Sequence, residues 1–310
     1  MDPLRSHTDL MKTFTIAPLG PFSLEELAMF GFGQRHDDHF DGTMRLAFCV
    51  YGHEGLAGVA VTQRPDGTVV GKIEGTSGRA SAGAVRTQVA RVLSLDHDAR
   101  GYVSVGERDP VVARLLDAAP GLRPPLFYSP YEAAVWVALS ARRNRRTASA
   151  WRARLSAAAG VRFEVAGRAM DALPAPSALI ELGTAGVQDA TGVETARAER
   201  VCAVAEAARR GTLDASSLAS ADPDEARATL RTIPGIGRFY ADLILLRAVG
   251  LTDLLPGDEP HARRIIGDLY GLGGPATLGQ VEDIARAWVP WRTWVTVLVR
   301  AAGSRIMATQ

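Results

Sequence analysis

Hydrophobic and polar positions change their spacing near residue 120. Before that point, short runs of β-branched and aromatic residues are separated by glycine, proline and aspartate, a pattern that predicts strands. We expect strands at 12–20, 44–52, 56–64, 68–74 and 101–105. Two stretches with helical spacing lie among them, at about 23–31 and 82–94. The first 118 residues therefore predict an antiparallel α+β domain.

The remainder of the chain predicts helices. Successive apolar stretches begin at Ser, Thr, Asp or Pro and end at Gly, which are the residue types that start and stop helices. The predicted fold class is therefore α+β. It consists of an antiparallel α+β domain at 1–118 and an all-helical domain at 119–310.

The composition of the chain excludes several kinds of functional site. Cys49 and Cys202 are far apart and lack a CxxC partner, which argues against a zinc site or a cysteine-ligated cluster. The 35 basic residues include lysine only at Lys12 and Lys72, so no lysine amine is present after residue 72. No apolar stretch reaches the roughly 18 residues of a membrane span, and no apolar signal region begins the chain. We expect a cytoplasmic protein without a membrane partner.

The stretch "TIPGIG" at 232–237 joins two predicted helices. Pro234 ends the first helix, while Gly235 and Gly237 permit positive φ angles in the turn. Ile236 can anchor the turn in the core. The second helix, beginning near Arg238, then offers unpaired N–H groups that an anion such as a nucleic-acid phosphate can approach closely. The alternative is an ordinary helical packing unit with a capping glycine.

The segment "LRTIPGIGRFYADLILLRAVG", followed by an acid at a helix start and by "WVPWRTW", resembles the helix-hairpin-helix superfamily of DNA glycosylases. It is most similar to the bacterial 3-methyladenine-DNA glycosylase II branch. The resemblance covers about 120–305, and residues 1–118 match only in outline. It implies a monomeric, monofunctional enzyme that flips alkylated purines out of damaged double-stranded DNA in the nucleoid. It implies no metal or other cofactor, and it allows a monovalent cation at the hairpin.

The resemblance implies a carboxylate at the start of the helix after the hairpin, where it stabilises positive charge on the sugar. Two acids compete for this position. The Leu-Pro-x-Asp pattern selects Asp258, whereas the helix register and Pro260 at the first helical position select Glu259, which we favour. The alternative is that both are solvated acids at a helix start without a role in catalysis. The lysine that some relatives use as a lyase nucleophile corresponds to Phe239, so the composition predicts hydrolysis by water.

Aromatic side chains are expected around a flipped base, because their π-faces attract cationic alkylated rings. Correspondence with the family indicates Phe239 and Trp291. Further candidates are Tyr240, Trp294 and Tyr128. The alternative for each of them is packing in the core.

The segment 140–154 contains six arginines and no acid, which favours contact with phosphates over a merely solvated face. The candidates are Arg142, Arg143 and Arg145. Related enzymes insert an apolar residue here, and the chain has none, which leaves Arg142 to enter the gap through its planar head.

Three other functions stay open: a glycosylase for an oxidised or deaminated base, a non-catalytic DNA-lesion binder, and a protein-interaction scaffold.

Overall fold

The structure, a computed structural model, describes residues 12–30, 39–256 and 259–307. Four strands form an antiparallel sheet in the order β1-β4-β3-β2. The strands are β1 (Thr13–Ile16), β2 (Met44–Cys49), β3 (Gly55–Gln63) and β4 (Val69–Gly78). Helices α1 (Leu24–Phe30) and α2 (Ala82–Val92) cover one face of this sheet with apolar side chains.

Side chains along β2 and β3 alternate between the two faces of the sheet, and both faces are apolar. Phe48 and Val59 lie in the cluster under α1 and α2. Ala47 and Ala60 lie in a second cluster on the opposite face. Because both faces exclude water, the sheet needs a cover on each side.

A separate β-hairpin covers the second face. It consists of β5 (Val161–Val165) and β6 (Arg168–Ala172). Phe163 packs so closely on the sheet that a β-carbon at Gly58 or Gly75 would lie 2.7 Å from its atoms. Glycine at these two positions therefore makes room for the aromatic ring.

The other described elements are helical. The early helices are α3 (Val105–Arg108), α4 (Pro110–Ala118), α5 (Pro130–Ser140), α6 (Arg145–Ala159) and α7 (Pro176–Thr191). Next come α8 (Thr195–Arg209), α9 (Ala215–Ser220), α10 (Pro223–Arg231) and α11 (Arg238–Ile244), which continues as a π-helix at Leu245–Val249. The last are α12 (Pro260–Leu269), α13 (Leu278–Ile284), a 3-10 turn at Ala285–Trp288 and α14 (Arg292–Met307).

The predicted fold class is confirmed: a small antiparallel sheet near the N-terminus precedes a mostly helical remainder. Two details differ from the prediction. Residues 101–104 form turns that lead into α3, so the strand predicted at 101–105 is wrong. The hairpin at 161–172 lies in a region where only helices were expected.

Packing crosses the predicted boundary at residue 118. Helix α4 packs along α14, and Val112 and Leu115 share a buried cluster with Val295 and Leu298. The division into domains 1–118 and 119–310 stays a prediction. In the described part of the chain, no helix is long and apolar enough to cross a bilayer. The cytoplasmic location and the monomeric state also stay predictions.

Candidate active site and DNA interface

The glycine turn joins α10 to α11 as the sequence predicts. Gly235 has a φ of 89°, which favours glycine, and both Gly235 and Gly237 are exposed. Ile236 is buried and donates its N–H to the carbonyl of Ile233 at 3.1 Å. The turn is therefore anchored by one side chain and leaves its two glycines at the surface.

Arg200, which the sequence did not indicate as a site residue, lies against this turn. A β-carbon at Gly235 would come within 2.9 Å of Cδ and 3.4 Å of Nε of Arg200. Arg200 belongs to α8, 35 positions away in the chain, and nothing local in the sequence could connect it with the turn. Together with the exposed Arg238 it places two guanidinium groups at the hairpin.

Glu259 occupies the cap of α12, with Pro260 in the first helical turn, as the register predicts. One carboxylate oxygen, Oε2, accepts a hydrogen bond from the N–H of Ala262 at 2.7 Å. The same oxygen lies 3.8 Å from Nε of Arg300, which reaches across from α14. Asp258, the competing candidate, lies outside the described residues.

A second arginine, Arg247, lies within electrostatic range of Arg300. Arg247, on the π-helix after the hairpin, is buried and donates to the carbonyl of Pro125 at 2.7 Å. Burial, together with the charge of Arg300, lowers the pKa of Arg247 to about 9. Arg300 therefore lies between two electrostatic partners, the carboxylate of Glu259 and the buried guanidinium of Arg247.

The segment before α12 is fastened to the start of α14. Thr293 donates its N–H to Thr252 at 2.9 Å, and its hydroxyl accepts from the N–H of Leu254 at 3.0 Å. Arg292 donates from Nε to the carboxylate of Asp253 at 2.6 Å. The segment 252–254 and the start of α14, which directly follows Trp291, are consequently joined by one hydrogen-bonded framework.

Trp291 and Trp294 pack together with a centroid distance of 4.8 Å. Tyr102 completes the group, with its ring 5.7 Å from Trp291 and 5.0 Å from Trp294. Trp288 differs from these residues, since its buried indole donates to Asp109 at 2.9 Å and serves the core. We call Tyr102, Trp291 and Trp294 the aromatic cluster. Tyr102 was not among the aromatic candidates in the sequence.

The other aromatic candidates lie elsewhere. Phe239 is 55% exposed, and its ring contacts Tyr240 at 5.3 Å. Tyr240 packs on the helical core around Ile236 rather than with the tryptophans. Tyr128 packs on Phe48 in the core of the sheet at 5.3 Å, and burial raises its pKa to about 12. The structure therefore brings Trp291 and Trp294 together but places Phe239, Tyr240 and Tyr128 in other clusters.

The arginines of the segment 140–154 have two different roles. Arg152 pairs with the buried Glu132 at 3.1 Å, and Arg154 donates to the carbonyl of Thr191 at 3.1 Å, so both support the fold. The remaining arginines are exposed on the loop before α6 and on its first turn. They are Arg142, Arg143, Arg145 and Arg146.

Arg142 has a left-handed backbone, with a φ of 56°. Hydrogen bonds from the protein interior fix the start of its loop. The buried Arg197 donates to the carbonyls of Ala138 at 2.8 Å, Leu139 at 2.9 Å and Ala141 at 3.2 Å. A fixed loop presents Arg142 at the surface without losing conformational freedom on binding.

Within the described residues, no three His, Cys, Asp or Glu side chains cluster in a way that could hold a metal ion. Cys49 is buried and Cys202 half-buried, and both are free thiols.

No model of a known protein family matches the sequence. The Escherichia coli (strain K12) protein DNA-3-methyladenine glycosylase 2 is 30% identical over 184 residues, which are 59% of this chain and 61% of that protein. The structure of a 3-methyladenine DNA-glycosylase from Archaeoglobus fulgidus matches with a TM-score of 0.75 and 20% identity over 94% of this chain and 99% of that one. The chain is thus similar in sequence to a DNA-3-methyladenine glycosylase and shares the fold of solved 3-methyladenine DNA glycosylases.

A further solved structure with a similar fold is that of the Clostridium acetobutylicum 8-oxoguanine glycosylase/lyase in complex with double-stranded DNA. It matches with a TM-score of 0.63 and 18% identity over 93% of each chain. The resemblance suggested by the hairpin sequence is thus confirmed. The match to the E. coli glycosylase spans about three fifths of that protein's length.

Proposed function

We propose that this protein is a monofunctional DNA N-glycosylase that removes alkylated purines of the 3-methyladenine type from double-stranded DNA. The observation that carries the proposal is the position of Glu259. It caps α12 beside Arg300 of α14, the helix that begins directly after Trp291. The name of the E. coli relative supports the same substrate class.

DNA would contact two surfaces. At the hairpin, the exposed Gly235 and Gly237 let a phosphate approach the backbone N–H groups, while Arg200 and Arg238 supply positive charge. The second surface is the loop before α6, where Arg142, Arg143 and Arg145 are exposed. Arg142, with its fixed backbone, would enter the gap that a flipped nucleotide leaves.

The reaction would use Glu259 as an ionised carboxylate. As the bond between C1′ and the base nitrogen breaks, its electron pair leaves with the base, and positive charge develops on the sugar. Glu259 Oε2 is engaged by Ala262 and Arg300, whereas Oε1 makes no hydrogen bond with the described residues. Oε1 can therefore face the sugar, orient a water molecule and accept its proton as the water oxygen bonds to C1′.

Water is the nucleophile that the composition leaves available. A lyase step would require a lysine amine, and the chain has none after Lys72. The base itself would stack on Trp291, the most exposed member of the aromatic cluster, because an alkylated purine carries positive charge that an indole face attracts. We place Phe239, which is exposed beside the hairpin, at the entrance to that site rather than within it.

The decisive experiment is single-turnover base release from methylated duplex DNA, with Glu259→Gln and Asp258→Asn measured separately. We expect Glu259→Gln to slow release at least a hundredfold with unchanged DNA affinity, and Asp258→Asn to retain most of the rate. Glu282→Gln, an exposed acid on α13, is the matched control and should behave as the wild type. The reverse pattern would assign the reaction to Asp258.

Other substrates are tested by the same assay. Duplexes containing uracil or 8-oxoguanine should be released far more slowly than methylated purines. Release of neither class, together with salt-dependent DNA binding, would identify a non-catalytic lesion binder and refute the proposed reaction.

A further inference from the structure

Tyr102 carries a hydroxyl group that the fold leaves without a partner. The side chain is 4% exposed, and its Oη makes no hydrogen bond in the described part of the chain. A buried hydroxyl in this condition destabilises a protein, since the water that it loses is not replaced. Such a group calls for a specific explanation.

The surroundings of Tyr102 are aromatic. Its ring stands edge-on to Trp294, at an interplanar angle of 76°, and is tilted by 58° against Trp291. Trp291 is also the most open member of the aromatic cluster, at 9% exposure. Close to both residues in the chain, Val103 and Val289 expose apolar side chains at 41% and 42%.

The Tyr102 hydroxyl also has a defined protonation state. Burial alone raises the pKa of Tyr102, and no charged group contributes to the change. The phenol therefore keeps its proton at every physiological pH and can donate it to a carbonyl oxygen or a ring nitrogen.

We propose that the Tyr102 hydroxyl is a specificity-determining group of the base site, where it donates a hydrogen bond to the edge of a purine stacked at Trp291. The inference rests on the proposed function and extends it. The tryptophan faces select for electron-poor rings of any shape, whereas the hydroxyl selects for a ring with an acceptor atom at its edge.

The test is Tyr102→Phe, with binding of free 3-methyladenine and free 7-methylguanine followed by tryptophan fluorescence. We expect both dissociation constants to rise about tenfold, the equilibrium factor of one ordinary hydrogen bond. The variant should be at least as stable as the wild type in urea, because the removed hydroxyl has no hydrogen-bond partner among the described residues.

The chain supplies a matched control in Tyr51. Its hydroxyl is also buried without a hydrogen-bond partner in the described residues, and it lies after β2, away from the aromatic cluster. Tyr51→Phe should leave the binding of both bases unchanged. Equal binding by Tyr102→Phe and the wild type would overturn the proposal, as would undetectable binding by the wild type or a clear loss of stability in Tyr102→Phe.

Free-base binding requires no turnover, so this proposal and the proposed reaction can fail separately. If the wild type releases no base from DNA, the proposed function is wrong. A tenfold effect of Tyr102→Phe on free-base binding would still establish the purine site in that case.

Discussion

Arg197 is the buried cation on which the loop that carries Arg142 depends, and Arg197→Met tests that dependence. The guanidinium donates to three carbonyl groups at the end of α5 and just beyond it. The last carbonyls of a helix have no partner within the helix and need one from outside. Methionine retains most of the apolar stem but removes every donor, together with the guanidinium carbon that lies 5.3 Å from the ring centroid of Trp151.

The expected loss can be worked out from these contacts. A buried carbonyl deprived of its donor costs about 1–3 kcal/mol, and three carbonyls are affected. The three costs do not add fully, because one movement of the loop can expose all three groups to water. We therefore expect Arg197→Met to reduce the free energy of unfolding by about 3–5 kcal/mol.

Urea denaturation measures this change as a lower midpoint with an unchanged m-value. Arg209→Met is the matched control on the same helix, since Arg209 is exposed and pairs only with Glu206 at 3.1 Å. Exposed pairs of this kind contribute about 0.2–1 kcal/mol, so the control should stay within 1 kcal/mol of the wild type. Losses of equal size in the two variants would refute the reasoning, because they would show that burial of Arg197 contributes nothing.

Two further changes test other parts of the framework. Asp109→Ala removes the cap of α4 and the acceptor of the Trp288 indole and the Tyr270 hydroxyl, so urea denaturation should show a loss of about 3–5 kcal/mol; a loss below 1 kcal/mol would contradict this. The Arg45 side chain holds the pKa of Asp41 at about 2, below the ordinary 3.8. The carboxylate thus stabilises the fold above pH 4 and loses that contribution as the pH falls towards 2. Asp41→Asn should therefore flatten the decline of stability between pH 4 and 2, and identical acid profiles would count against the pair.

The hairpin and the acid could be predicted because their signals are local. Pro234 ends a helix and Gly235 takes a positive φ because of properties of those residues alone. Pro260 likewise marks the first turn of α12 and makes Glu259 its cap. Neither conclusion depends on contacts between distant parts of the chain.

The hairpin at 161–172 was missed, although a signal for it exists in the sequence. Strands β2 and β3 are apolar at successive positions, as in "LAFCV" and "GLAGVAV", and such strands are buried on both faces. The sequence therefore required a second cover for the sheet but did not identify it. The turn at 101–104 was misassigned for the opposite reason, because its β-branched residues favour a strand and tertiary packing on Trp291 and Trp294 overrides that preference.

The positions of Arg200 and Tyr102 could not be predicted, since each depends on a contact across the fold. Arg200 meets the hairpin glycine from α8, and Tyr102 meets tryptophans almost 190 positions later. In both cases the sequence supplies the residue type, and only the packing of helices supplies the neighbour.

The same packing supports the proposal that Glu259 and the aromatic cluster act together. Thr293 both donates to and accepts from Leu254, and one residue earlier Arg292 holds Asp253. These bonds fix the chain five residues before Glu259 and two residues after Trp291. A displacement of α14 would consequently move the acid and the stacking surface in the same direction. Their separation would change little, and a catalytic carboxylate requires a constant distance to the base that it helps to release.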